Sequence, residues 1–309
     1  MKTTQPKQKH SLLNLPYLIS LLLLTGLLTG CTPGDAPGES PARTVTKEIN
    51  APFPSEAHLR AFTIVQDLAG EDFTPAAAQD IPRNSAASLS VPTYVTKVED
   101  TYFIVDCYHN QVIYHDNLTD PLTDWQILTD EIDKGHTIAS DGFVYLVDDT
   151  EGNRVLVFEK KEGVFYHTQT LDGVGNRPHY IVYDAPTDTF YVWSSMNGEM
   201  YLCRHDPGDS HMYLTQIRTV DALKDTYVRS FTIEGNDIFF VSGTPGTPAI
   251  LQADLSTFEI RKTYPVPDEM AGMIQLTFAK GSCYITVSTD ITGSQDYATI
   301  IRTKNLKNL

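Results

Sequence analysis

Cysteine is scarce in this chain of 309 residues, with four in all and no Cys-x-x-Cys spacing. That excludes a zinc–cysteine site of the usual kind and leaves little for a disulfide framework. Basic side chains are outnumbered too, 23 Lys and Arg against 39 Asp and Glu, for a formal charge of −16. A surface without a basic footprint does not displace counterions from nucleic acid, and charge does not draw it onto anionic lipid. Helical periods are nearly absent: beyond residue 55, hardly any segment repeats apolar residues at helical spacing for longer than two turns. Recognisable catalytic frames are missing as well. Ser194 and Ser195 lack the Gly-x-Ser-x-Gly setting of a nucleophile elbow. No helix follows Gly173-Val174-Gly175-Asn176, so it is not a nucleotide loop, and Asn117-Leu118-Thr119 reads as a turn rather than a sugar acceptor.

One long apolar stretch is present, from Leu12 to Leu28, preceded by Lys2, Lys7 and Lys9 with no acid. A charged start followed by an apolar region is the layout of a signal peptide. The stretch ends in Leu28-Thr29-Gly30-Cys31, which resembles the lipobox of bacterial lipoproteins. That resemblance implies cleavage before Cys31 and attachment of diacylglycerol to its sulfur, with palmitate among the acyl chains of the anchor, so that the chain is lipid-anchored on the extracytoplasmic side of a cell membrane. Losing residues 1–30 takes the formal charge from −16 to −19. Residues 31–56 then form a Pro-, Gly-, Ala-, Ser- and Thr-rich tether, poor in large apolar side chains, with a random-coil reach of roughly 25–30 Å. The remaining three cysteines, Cys107, Cys203 and Cys283, sit in or beside apolar runs and are expected as small buried side chains.

Residues 57–309 alternate short runs of Val, Ile, Tyr, Phe and Thr with Gly, Asp, Asn and Pro turns, an all-β pattern. Five segments, beginning at Pro92, Gly135, Pro178, Val228 and Ile274, share one plan of three strands. The first four are each followed by a fourth (DWQILT, VFYHTQTL, YLTQIRTV, FEIRKTYPV). Taking Tyr94, His136, His179, Arg229 and Gln275 as equivalent starts, the spacings are 42, 43, 50 and 46 residues. A period of about 40–50 residues with four strands is that of a β-propeller blade. The count favours five blades, while residues 69–91 leave room for a sixth. The fifth segment lacks its fourth strand, and RAFTIVQDL at 60–68 is expected to supply it, closing the ring from the N-terminus.

Two segments, VDCYHNQVIYHD and VDDTEGNRVLVFEK, resemble NHL repeats in their Asp, short turn, Asn and Arg followed by an apolar strand. The first has Gln111 in place of the Arg, and the other three segments keep only the strand plan. The resemblance implies a propeller but no single activity, since propellers of this type include binding scaffolds, lyases and hydrolases. Asp106 with Asn110, and Asp148 with Asn153 and Arg154, are expected first to hold tight turns through backbone hydrogen bonds.

Where inner strands begin, their side chains ring one mouth of a propeller channel. Tyr94, His136, His179, Arg229 and Gln275 would form that ring, polar at every position, and burying five such groups unpaired would cost kilocalories each. We therefore expect a polar binding mouth with Arg229 facing an anionic group. The function expected is a binding or interaction module for an extracytoplasmic protein, peptide or glycan, with no cofactor. The alternative is a metal-dependent lyase or hydrolase with a divalent ion on His136 and His179. It is weakened by the lack of a third ligand, because His58, His109, His115, His167, His205 and His211 fall on turns or outer strands.

Overall fold

Runs of β-branched and aromatic residues pair into antiparallel ladders along almost the whole of the region expected to be a propeller. The computed structural model describes residues 87–243, 247–288 and 299–309, together with three two-residue strands further upstream. Those are β1 (Val45–Thr46), β2 (Thr63–Ile64) and β3 (Ala76–Ala77). The signal segment and Cys31 lie outside the described residues. Among the described residues no helix is long and apolar enough to cross a membrane.

Five sheets arranged in a ring make a five-bladed β-propeller. Blade 1 runs through β4 (Pro92–Val98), β5 (Thr101–Asp106), β6 (Gln111–His115) and β7 (Gln126–Thr129). Blade 2 comprises β8 (Ile138–Ser140), β9 (Val144–Asp149), β10 (Arg154–Lys161) and β11 (Val164–Asp172). Blade 3 holds β12 (Pro178–Asp184), β13 (Thr189–Ser194), β14 (Glu199–His205) and β15 (Met212–Thr219). Blade 4 holds β16 (Val228–Glu234), β17 (Asp237–Ser242), β18 (Ala249–Asp254) and β19 (Ile260–Pro265). Blade 5 has β20 (Met273–Ala279), β21 (Ser282–Val287) and β22 (Thr299–Thr303). All four expected outer strands are in place, and the room left for a sixth blade is used differently. There β3 adds an edge strand to blade 2, Ala76 opposite His167 and Ala77 opposite Tyr166.

The closing strand differs from expectation. Of residues 60–68 only Thr63–Ile64 are described, and they pair with Val45–Thr46, inside the expected tether, beside β15 rather than on blade 5. Blade 5 has three strands among the described residues. The physical reason is that an alternating apolar pattern specifies a strand but not which open edge it joins, and among the described residues more than one blade has an open outer edge.

Second strands lie between neighbouring blades and are buried on both faces, which is why VYLVDD of β9 is buried throughout. Aromatic and aliphatic side chains fill the spaces between consecutive blades. Phe103, Tyr145, Phe158 and Phe165 lie between blades 1 and 2, and Val144, Leu146, Ile181 and Val192 between 2 and 3. Trp193, Met200, Phe231 and Phe240 lie between 3 and 4, and Val241, Ile250, Leu276 and Ile285 between 4 and 5. Each such fully buried side chain contributes about 1.5–3 kcal/mol of apolar burial. Cys203 and Cys283 are free thiols within these layers, and Cys107 is a buried free thiol in the turn after β5.

Candidate functional site

The inner strands carry a feature that no spacing of polar residues reveals. Four of them slip by one residue near their starts, between Pro92 and Tyr94, Pro178 and Tyr180, Val228 and Ser230, and Met273 and Gln275. The extra residues are Thr93, His179, Arg229 and Ile274. A β-bulge bends its strand and re-aims the side chain of the extra residue. The five residues expected as one ring therefore do not share one position. His179 and Arg229 are bulge residues, Tyr94 and Gln275 follow their bulges, and His136 precedes the start of β8.

The bulges bring three of the five together. The rings of His136 and His179 stack with centroids 3.9 Å apart and planes 29° apart. His179 Nδ1 lies 2.8 Å from the Arg229 carbonyl, which can only accept, so Nδ1 carries the proton. Nε2 is then the acceptor, and the Tyr227 hydroxyl donates to it at 3.2 Å. Burial, with His136 alongside and two arginines near, holds His179 well below the usual imidazole range. Burial together with Arg177 and Arg229 pushes His136 down to about 4. Both rings are neutral near pH 7.

Arg229 packs its guanidinium over the Tyr227 ring, 5.6 Å from the centroid. Its Nε is buried with no hydrogen-bond partner, and among the described residues no carboxylate pairs with it. Other arginines are engaged: Arg154 with Asp149 at 2.7 Å, Arg177 with Glu151 at 2.8 Å and Arg204 with Asp188 at 2.9 Å. Gly243 makes room beside Arg229, since a Cβ there would stand 3.4 Å from Nε and 2.5 Å from the Ala271 carbonyl oxygen.

Tyr94 and Gln275 stand apart from this cluster. Tyr94 meets Tyr180 edge to face at 5.9 Å and lines a cavity of about 450 Å³ with Glu99, Asp141 and Tyr183, at the far ends of the inner strands. Gln275 is half-buried on β20, opposite Thr286.

The NHL-like carboxylates anchor the mouth. Asp148 accepts from the backbone N–H of His136 at 3.0 Å and of Thr137 at 2.5 Å, and from the hydroxyls of Thr137 and Thr150, each at 2.9 Å. Thr93 donates to the His136 carbonyl at 3.1 Å. Complete burial nevertheless pushes the Asp148 carboxyl up to about 7. Asp106 accepts from Ser90 N at 2.7 Å and touches His109 Nδ1 at 2.6 Å. Asn110 and Asn153 adopt left-handed backbone, and their side chains accept the N–H of Lys134 and Arg177 at 3.2 and 2.8 Å, tying each turn to the next blade. Asn117 likewise holds its own turn, donating to Asp120 and accepting from Thr119.

A metal on the histidine pair has little to hold it. Both ring nitrogens of His179 are engaged, and among the described residues no group of three His, Cys, Asp or Glu converges. Sequence reasoning missed Tyr227, Thr137 and Gly243. Tyr227 had one visible signal, an aromatic two residues before Arg229.

No protein family matches the chain by sequence, and no curated protein does. Solved structures do. A 6-phosphogluconolactonase-like protein of Bacteroides uniformis aligns over 70% of this chain and 68% of its own, with 14% identity and a TM-score of 0.53. Streptogramin B lyase covers 74% of this chain and 72% of its own at 14% identity, with a TM-score of 0.49. Hydrazine synthase of Kuenenia stuttgartiensis covers 70% of this chain and 64% of its own at 18% identity, also with 0.49. The first likeness supports the β-propeller fold and carries no activity across.

Proposed function

We propose that the chain is an extracytoplasmic β-propeller lipoprotein, anchored through lipid on Cys31, that acts as a binding module. Its channel mouth holds the anionic group of a protein, peptide or glycan. The observation that carries this reading is Arg229, an unpaired guanidinium with a buried, unpartnered Nε in a chain of formal charge −16. Leaving that group unsatisfied is costly, and a carboxylate or other oxyanion would satisfy it with charge-assisted hydrogen bonds. His136 and His179 stay neutral beside it, so the mouth presents one focused positive charge. Polar contact from His136 would orient the ligand.

The test is capture of extracytoplasmic partners by the purified chain and by Arg229→Ala and Arg229→Lys variants. The alanine variant should lose at least about tenfold in affinity, as truncation of a buried charge contact does, with partial retention by lysine. Unchanged capture by Arg229→Ala would overturn the site. For the anchor, Cys31→Ser should abolish palmitate labelling and release the protein into the soluble fraction. Continued labelling would overturn the lipid assignment.

A further inference from the structure

At the other end of the blades from the His–Arg mouth, a cleft of about 460 Å³ opens between blades 4 and 5. Its walls are apolar. Phe239 of β17 and Phe278 of β20 meet with ring centroids 4.9 Å apart, and Cys283 and Leu306 extend the same surface from blade 5. Its back is rigid, because the Tyr264 hydroxyl donates to Gln252 Oε1 at 2.8 Å while Gln252 Nε2 donates to Asp237 at 2.8 Å.

The rim is basic, against the trend of the whole chain. Lys280, Lys304 and Lys307 line the cleft, and Glu234 is the one acid among its lining residues. Lys161 faces Glu159 at 3.0 Å, whereas none of the three cleft lysines has an ion-pair partner among the described residues. Lys280 is also placed there by the backbone. Ala279 pairs with Ser282, leaving Lys280 and Gly281 as a two-residue turn with φ of 48° and 68°. Positive φ at both turn positions matches the twist of the flanking strands, although lysine is an uncommon occupant of that region.

We propose that this cleft binds an amphipathic anion, an apolar body of about a dozen heavy atoms ending in a carboxylate, sulfonate or phosphate, in keeping with its volume. The apolar part lies against Phe239 and Phe278, and the acid faces the three lysines. The inference is independent of the channel mouth and goes beyond the binding function assigned to it.

The test uses the fluorescence of anilinonaphthalene sulfonate bound to the full chain, displaced by decanoate, by decyltrimethylammonium, or by phosphatidylglycerol vesicles. Decanoate should displace the dye and the cationic homologue should not. A Lys304→Glu, Lys307→Glu double variant, altered only at exposed side chains, should weaken dye and decanoate binding by at least about tenfold. Arg229→Ala should leave both unchanged, which separates this site from the mouth. Equal displacement by the cationic homologue, undiminished binding by the double variant, or displacement by vesicles but not by decanoate would each overturn the proposal.

Discussion

Asp148 is the carboxylate whose ionisation should be readable in the stability of the whole propeller. In the folded chain burial raises its pKa from 3.8 to about 7, even with donors from His136, Thr137 and Thr150 around it. Between those values the folded chain holds one proton more than the unfolded chain. Stability contributed by this group therefore falls as pH rises, by about 1.4 kcal/mol per unit. From pH 5 to pH 7 the loss is about 2 kcal/mol once saturation near pH 7 is included. His136 and His179 pull the other way. Their folded pKa values lie below the usual imidazole value, so their contribution is lost as pH falls below about 6.5. The raw profile of the protein mixes these slopes, and an Asp148→Asn variant separates them because it keeps the shape and removes the titration. The amide also sets an N–H against that of His136, so the variant starts less stable by about 1–3 kcal/mol. The assay is urea unfolding followed by fluorescence of Trp125 and Trp193, both buried. The stability of wild type relative to the variant should fall by about 2 kcal/mol from pH 5 to pH 7. A relative stability of wild type that stays constant or rises over that range would refute the reasoning and show that the hydrogen-bond donors outweigh burial.

Gly243→Ala forces a methyl group to within 2.5 Å of the Ala271 carbonyl oxygen and should destabilise by about 1–3 kcal/mol, with Arg229 displaced, as thermal unfolding and partner capture would show. Tyr227→Phe removes the donor to His179 Nε2 while keeping the ring under Arg229. It should cost about 1 kcal/mol in urea unfolding. The buried thiols of Cys107 and Cys203, pushed up to about 11 and about 12 by burial, should resist a disulfide reagent until the chain is unfolded; fast labelling in native buffer would show that their surroundings open.

How much of this was legible in the sequence depends on the scale of the feature. The blade period was readable because turns and second strands such as TYFIVD and VYLVDD repeat one burial requirement, and the turn-holding roles of Asp106 and Asp148 followed from the same pattern. The position of individual side chains was not. A bulge changes which residue faces the mouth without altering the strand's composition, so Tyr94 and Gln275 align with His179 and Arg229 by spacing but not in space. Edge choice was equally hidden: residues 63–64 read as strand, yet nothing in their own sequence directs them to Val45–Thr46 instead of blade 5. Tyr227 went unnoticed because its role depends on His179 being bulged toward it.

Tyr94, which stands apart from the expected ring, bears on what kind of site remains. Blade 2 stands between blades 1 and 3, yet Tyr94 of blade 1 reaches Tyr180 of blade 3, so their rings meet across the space the inner strands surround. Few blades bring inner strands close enough for such a contact. That contact lies next to the histidine stack, Tyr180 following His179 directly in the chain. Burial of the Arg229 Nε lowers the local dielectric and strengthens its attraction for an anion. Arg177, the other arginine that acts on the two histidines, is already paired with Glu151. Under the binding function proposed above, recognition there would rest on one negative group set against neutral aromatic and imidazole walls, and a ligand bearing two adjacent negative charges would find a partner for only one of them.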